Sequence, residues 1–146
     1  MEQIKIDNFI KEHPGSSFPN YIHLEDKICA DISLSILKKL NLISTTDDLM
    51  LVNEVDKLGD ICDVVISDAE NFNLKNTLSS LGVNYSKNVY INWYRYDDID
   101  KMKIDDLINY FDDIWYLGSD DIDIFDESLT WIVSITHFGQ VNFLKI

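Results

Sequence analysis

Basic residues are scarce in this sequence. Its 146 residues include 11 lysines and a single arginine, Arg95, against 20 aspartates and 6 glutamates, and the formal net charge is −14. Proteins bind phosphate backbones and anionic membrane surfaces through clusters of lysine and arginine. The composition therefore argues against nucleic acid and against a membrane surface as partners.

Cysteine is rare as well. Cys29 and Cys62 are the two cysteines, and neither belongs to a CxxC motif or lies near a pair of histidines. A chain of this length buries a sizeable core without disulfides, so we predict that both thiols are buried and reduced. The N-terminus lacks the basic and apolar regions of a signal peptide, and no apolar run approaches the ~18 residues of a spanning helix. We expect a soluble, cytoplasmic protein with one globular domain over residues 1–146.

Apolar residues recur at helical spacing through most of the first half. Ile28, Ile32 and Ile36 are separated by four residues each, and Ser44 begins a polar run that is typical of a helix start. Gly82 is expected just beyond the end of a helix. The predicted helices span residues 2–12, 25–40, 49–58 (with its start signal at 44–48), 68–81 and 104–113.

Strand signals are concentrated in the second half. The predicted strands span residues 61–66, 89–94, 121–125, 130–137 and 140–145. The order strand, helix, strand over residues 61–94 suggests a crossover unit with parallel strands. Phe138 and Gly139 suggest a tight turn that joins the last two strands into an antiparallel hairpin. The fold class that follows is α+β, with a helical N-terminal half and a mixed β-sheet that ends in this hairpin.

Acidic residues are concentrated in one window, residues 97–127. Eleven aspartates and Glu127 lie there against Lys101 and Lys103, which leaves −10 of the net −14. They lie on a predicted turn at residues 97–100, on the outer face of the 104–113 helix and on the strand at 121–125. Strand alternation would place Asp121 and Asp123 on one face. If the helix and the strand are neighbours, these acids form one negative patch.

The acidic window has two interpretations. Charge runs are ordinarily solvated faces that maintain solubility. However, a small domain needs a net charge of only about 2–8 in magnitude for solubility, and crowded like charges lower stability. Aromatic residues beside the acids are typical of interfaces. We therefore predict a partner-binding surface made of Asp97, Asp98, Asp100, Asp105, Asp106, Asp112, Asp113, Trp115, Tyr116, Asp120, Asp121 and Asp123.

Metal and catalytic motifs are absent from the sequence. Residues 98–103 lack the glycine of a calcium-binding loop, and the three histidines lack zinc-ligand spacing. No phosphate-binding or dinucleotide-binding glycine motif occurs, and residues 118–120 lack the frame of a nucleophile elbow. We predict no metal, no cofactor and no catalytic residue, and we interpret His137 as a hydrogen-bonded structural histidine.

Three segments carry a resemblance: YFDDIWY at residues 110–116, GSDDIDIFD at 118–126 and LTWIVSITH at 129–137. They resemble segments of small bacterial proteins, some of which are associated with the immunity partners of polymorphic and contact-dependent growth-inhibition toxins. The resemblance covers residues 90–146. It implies an inhibitor that binds a cognate toxin domain in the cytoplasm. Many such toxins attack nucleic acids, so the implied partner is basic and in some cases a nuclease.

Three functional hypotheses follow from the sequence. The first is an immunity-type protein that neutralises a toxin domain through its acidic face without catalysis. The second is a general protein-interaction or regulatory module with no toxin partner. The third is a small enzyme whose site combines distant carboxylates with His137, and it requires a concave pocket that contains Asp121, Asp123 and His137.

Overall fold

The computed structural model describes residues 1–42, 49–65 and 72–146, except for the side chains of residues 63–65. This part of the chain forms an α+β fold, as predicted. Its helices are α1 (Gln3–Glu12), α2 (Asp26–Lys39), α3 (Met50–Leu58), α4 (Leu74–Ser80), α5 (Ile104–Asn109) and α6 (Phe111–Ile114). Its strands are β1 (Tyr21–His23), β2 (Asp60–Val65), β3 (Asn88–Asn92), β4 (Ile99–Lys103), β5 (Ile122–Phe125), β6 (Trp131–Ile135) and β7 (Gln140–Lys145).

The described strands form one sheet in the order β1-β4-β3-β5-β6-β7-β2, and all of its pairings are antiparallel. The predicted parallel crossover over residues 61–94 is therefore wrong. β2 pairs with β7 at one edge, and three strands separate it from β3. The predicted hairpin is confirmed, because β6 and β7 pair and Gly139 adopts φ +81° in their turn.

Apolar side chains cover both faces of the sheet. On one face Ile91, Ile124 and Val133 belong to a core with α4, α5 and α6. On the other face Phe125 and Ile132 belong to a second core with α2 and α3. Successive side chains of β5 point to opposite faces of the sheet, as predicted, but neither face is open to solvent. The expectation that the acids of this strand form a surface row is thus wrong for Asp123, which is buried.

The helix predictions hold in outline. α1, α2 and α3 lie where the sequence places them, whereas the start signal at 44–48 and residues 68–71 of the next helix lie outside the described residues. The predicted helix over 104–113 is interrupted at Tyr110, whose backbone has φ −123° and ψ 29°. The Tyr110 ring packs edge-on against Phe9, with centroids 5.2 Å apart. This contact and the burial of Ile114 redirect the chain into α6.

A buried ion pair holds α1 against the rest of the fold. Lys5 is fully buried, and its ammonium group pairs with the carboxylate of Asp120. The same nitrogen lies 4.0 Å from the centre of the Tyr116 ring. The Asp120 carboxylate also accepts the backbone N–H of Tyr116 at 2.7 Å. One of the acids that we predicted at an interface is therefore neutralised inside the molecule.

Two further expectations concern the cysteines and membrane spans. Cys29 is buried as predicted, Cys62 is only partly buried, and no disulfide joins them. Across the described ranges, none of the helices has both the length and the apolarity needed to cross a membrane.

Candidate functional site

The structure separates the twelve predicted interface residues by exposure. Asp97, Asp98, Asp105 and Asp112 are exposed. Asp106, Asp113, Tyr116 and Asp121 are half-buried. Asp100, Trp115, Asp120 and Asp123 are buried. The exposed acids do not form a single patch, because one group lies on α5 and α6 and the other in the loop between β3 and β4.

The acids on α5 and α6 have a structural role. Asp105 and Asp106 lie in the first turn of α5, and Asp112 and Asp113 lie in the first turn of α6. Carboxylates in these positions interact favourably with the partial positive charge of a helix N-terminus. Asp113 also contacts Nε2 of His13 at 3.0 Å, which ties α6 to the end of α1. We call this set the helix acids.

The loop between β3 and β4 is held in an unusual conformation. Tyr94 and Tyr96 adopt φ +86° and +63°, a region that costs roughly 1–2 kcal/mol per residue for non-glycine residues. The side-chain oxygen of Asn92 accepts the backbone N–H of Tyr96 at 2.7 Å. The backbone N–H of Trp93 donates to the carbonyl of Asp98 at 2.9 Å. These contacts fix the loop and hold Tyr94 at the surface.

Two concave surfaces of about 940 and 600 Å³ adjoin this loop. Both are lined by His23, Trp93, Tyr94 and Asp98. Their described linings also include the carboxylates of Glu2, Asp26, Asp97 and Asp121, whereas Arg95 and His23 supply the basic side chains. We call this acidic, aromatic region, which includes Asp97 and Asp98, the Tyr94 face. A further concave surface of about 380 Å³ is lined by Asp112 and Asp113 of the helix acids together with His13.

A smaller cavity of about 220 Å³ lies behind Tyr94, between α3 and the sheet. We call it the Asp123 cavity. Its polar lining residues are Asp56, Asp121, Asp123, Ser134, Thr136 and His137, and its apolar lining includes Val52, Ile122, Ile135 and Phe138. Tyr94 and Asp121 line both this cavity and the Tyr94 face, so the two adjoin.

A row of polar side chains crosses the sheet at the inner end of this cavity. Asn92, Asp123 and Ser134 are register neighbours on β3, β5 and β6. The amide nitrogen of Asn92 donates to Oδ2 of Asp123 at 2.9 Å, and the hydroxyl of Ser134 donates to Oδ1. At the mouth, the backbone N–H of His137 donates to Asp121 at 2.7 Å, and its Nδ1 lies 2.9 Å from the same oxygen. His137 is thus hydrogen-bonded, as predicted.

Three groups around the cavity have raised pKa values. Burial raises the pKa of Asp123, although hydrogen bonds from Ser134 and Asn92 oppose this effect. Asp56 is exposed at the mouth, yet partial desolvation by the cavity wall, followed by repulsion from Asp121, raises its pKa. Burial and the charge of Asp123 raise the pKa of the Tyr96 hydroxyl. Desolvation is the largest cause in all three cases, so the charged forms of these groups are disfavoured in and around the cavity.

The raised pKa of Asp123 predicts a pH effect on stability. The folded state binds the proton of the Asp123 carboxyl more tightly than the unfolded chain does, because the pKa of this group in the unfolded chain is the ordinary 3.8. The stabilisation that protonated Asp123 provides at low pH is therefore lost as the pH rises through its pKa in the folded state. In Asp123→Asn the loss is absent, because the amide is neutral; its oxygen accepts from Asn92, and its NH2 group donates to the Ser134 hydroxyl, which reverses the direction of that bond. Relative to wild type, we expect the variant to gain about 1.4 kcal/mol for each pH unit between the two pKa values. Urea unfolding of both proteins between pH 4 and 7 measures this gain, and parallel curves would contradict it.

A histidine and two carboxylates form a cluster at the Tyr94 face, which His23 and Asp98 line. Nδ1 of His23 lies 3.1 Å from Oδ1 of Asp100 and 3.6 Å from Oδ1 of Asp98. One donor atom from each residue lies within 4.8 Å of the others, a spacing that suits a cation. The Asp100 carboxylate is fully buried, pairs with the Met1 amino group and accepts the Trp93 indole N–H at 2.8 Å. Its charge is thus matched by protein groups, and we assign Asp100 a structural role.

The sequence did not identify Asp56, Asn92 and Ser134 as residues of the site. Ser134 is a polar residue within the otherwise apolar strand β6, which is a local signal of a buried polar group, whereas Asn92 is the last residue of β3 and gives a weaker signal. Asp56 carries no such signal, because it is one of two acids on α3 and approaches β5 only in the folded protein. Comparison with known proteins returned no match: no family model, no curated protein and no solved structure matches this chain.

Proposed function

We propose that this protein is an immunity-type inhibitor that binds a basic toxin domain through the Tyr94 face and performs no catalysis. The observation that supports this proposal is the form of that face. It is concave, it carries at least five carboxylates against one arginine, and it surrounds an exposed tyrosine on a fixed loop.

Electrostatics favours a basic partner. A field of this sign steers an oppositely charged protein and raises its association rate to about 10⁸–10⁹ M⁻¹s⁻¹ at low salt. A standard interface covers about 800 Å² per partner. That is about one-tenth of the 8400 Å² surface of this protein.

Tyr94 and Trp93 supply the apolar part of such an interface. Tyr94 is 42% exposed and Trp93 is half-buried, and tyrosine and tryptophan are enriched among residues that dominate binding energy. Because the loop is already fixed by Asn92 and Asp98, its ordering adds little to the entropy cost of association. The same rigidity favours one partner geometry over others.

Charge reversal tests the location of the interface. Asp97→Lys/Asp98→Lys alters the Tyr94 face, and Asp105→Lys/Asp112→Lys alters the helix acids by the same net charge, also at exposed positions. We expect the first variant to associate about tenfold more slowly than the second at low salt, since local charge pairs contribute more than the distant field. The partner is the product of the adjacent open reading frame, and stopped-flow mixing over a salt series gives the rates.

Several outcomes would contradict this proposal. Equal rates for the two variants would place the interface elsewhere. If the adjacent gene product is not toxic, or if co-expression of this protein does not restore growth, the immunity function is wrong. Binding to a non-toxic partner, weakened by Asp97→Lys/Asp98→Lys, would instead favour the general interaction module.

A small enzyme is the second candidate, because the structure places Asp121, Asp123 and His137 around one cavity. Such a pocket, with perturbed carboxylates, is what an enzyme hypothesis requires. The geometry favours binding instead: the Ser134 hydroxyl donates to Asp123, and in the described structure His137 contacts Asp121 and not Ser134. Hydrolysis of an ester or phosphoester substrate that is lost in His137→Gln would favour the enzyme.

A further inference from the structure

We propose that the Asp123 cavity receives one arginine side chain of the partner, whose guanidinium group pairs with Asp56 and Asp121 and points toward Asp123. This inference rests on the proposed function, because it identifies the chemistry that the partner presents to the Tyr94 face. It is carried by the size of the cavity, the charge of its lining and the aromatic side chains at its mouth.

The size of the cavity fits one side chain. Its volume of about 220 Å³ lies below the roughly 300–1,000 Å³ of sites for drug-sized molecules. Tyr94 and Asp121 line both this cavity and the Tyr94 face, so a side chain from a partner on that face reaches the cavity without crossing the protein. A protein side chain is therefore a better fit than a free ligand.

The charge of the cavity specifies a cation. Three carboxylates converge on it, and within its described lining His137 is the one basic side chain and is already bonded to Asp121. No lysine or arginine of the described lining balances Asp56 or Asp123. A cationic occupant would pair with carboxylates that repel each other in the unbound protein.

The shape and walls of the cavity favour arginine over lysine. A guanidinium group presents five N–H donors in a plane and binds carboxylates in a bidentate manner. Tyr94 and Phe138 contribute aromatic surfaces at the mouth, and Phe138 is 73% exposed. Guanidinium groups stack on such surfaces, whereas an ammonium group is a compact, strongly hydrated charge.

The first test uses small probes and no partner. N-acetyl-arginine amide and N-acetyl-lysine amide are titrated against the ¹⁵N-labelled protein, and the amide signals of Tyr94, Tyr96 and His137 are followed. We expect saturable shifts at millimolar arginine probe, at least threefold weaker binding of the lysine probe, and loss of saturation in Asp56→Asn. Absence of saturable shifts at the cavity, or a preference for the lysine probe, would overturn the inference.

The second test uses the toxin partner. Asp56→Asn is compared with Asp60→Asn, which removes the same charge from another exposed aspartate at the start of β2. We expect the dissociation constant to rise 10–100-fold in Asp56→Asn and less than twofold in Asp60→Asn. We also expect the effect of Asp56→Asn on binding to be non-additive with that of one Arg→Ala substitution in the partner. If Asp97→Lys/Asp98→Lys slows association but Asp56→Asn behaves like its control, this inference fails and the proposed function stands. If a dimer forms and is lost in Arg95→Ala, the occupant is a second copy and the inference is also wrong.

Discussion

Replacement of Lys5 with methionine is expected to lower the free energy of unfolding by about 3–5 kcal/mol, the cost of leaving one member of a buried ion pair without its partner. Methionine retains most of the volume of the lysine stem but leaves the Asp120 carboxylate without a counter-ion. The backbone N–H of Tyr116 and the hydroxyl of Ser119 would remain as its hydrogen-bond donors. They do not replace a full positive charge in a site that is 9% exposed.

Two further variants make the Lys5 prediction specific. Lys11→Met changes an exposed lysine of the same helix and should alter stability by less than about 0.5 kcal/mol. Lys5→Met/Asp120→Asn removes both charges and should recover much of the loss, because neutral replacement of a buried pair is often tolerated. Urea unfolding gives all of these values. A loss below 1 kcal/mol for Lys5→Met, or no recovery in the double variant, would show that the pair contributes little.

Asn92→Ala is expected to reduce the free energy of unfolding by about 2–4 kcal/mol, because it removes hydrogen bonds from two buried groups. The backbone N–H of Tyr96 loses its acceptor, and the Asp123 carboxylate loses one of its two side-chain donors and keeps Ser134. Asn92 is fully buried, so water does not replace either hydrogen bond. The same change releases the loop that holds Tyr94, and binding of a partner should weaken along with stability.

Asn88→Ala is the matched control for this prediction. Asn88 begins the same strand but is exposed, and its replacement should alter stability by less than about 0.5 kcal/mol. Amide hydrogen exchange adds a local measurement, since the Tyr96 N–H should lose protection in Asn92→Ala. If the two alanine variants are equally stable, the polar row does not hold the loop.

The helices and the C-terminal hairpin could be predicted because their signals are local. The four-residue spacing from Ile28 to Ile36 specifies α2, and residues 138–139 specify the turn between β6 and β7. β1 and β4 were missed for the opposite reason. β1 has three residues, which is too few to show a strand pattern in the sequence. β4 contains Asp100, and an aspartate in the sequence favours a turn. Its burial depends on Trp93 and on the amino group of Met1 at a distance in the chain.

The acidic site could be predicted only in part. The excess charge and its aromatic neighbours are visible in the sequence, and Asp97, Asp98 and Asp121 do line concave surfaces. The division of the other acids between surface and interior depends on partners such as Lys5, which lies 115 residues from Asp120. Sequence periodicity carries no information about such pairs, so the Asp123 cavity emerges only when α3 is placed against β5.

The pairing of β2 with β7 also has a consequence for synthesis of the chain. Val65 pairs with Gln140, about 75 residues later, and translation at about 5–20 residues per second needs roughly 4–15 s to cover that interval. During this time α2 and α3 have left the ribosome without the sheet face that buries Ile36 and Val55. Their apolar surfaces remain exposed to chaperones and to other nascent chains until the final hairpin is made. The fold is therefore completed only after the last strand has been synthesised, although the first helices are made much earlier.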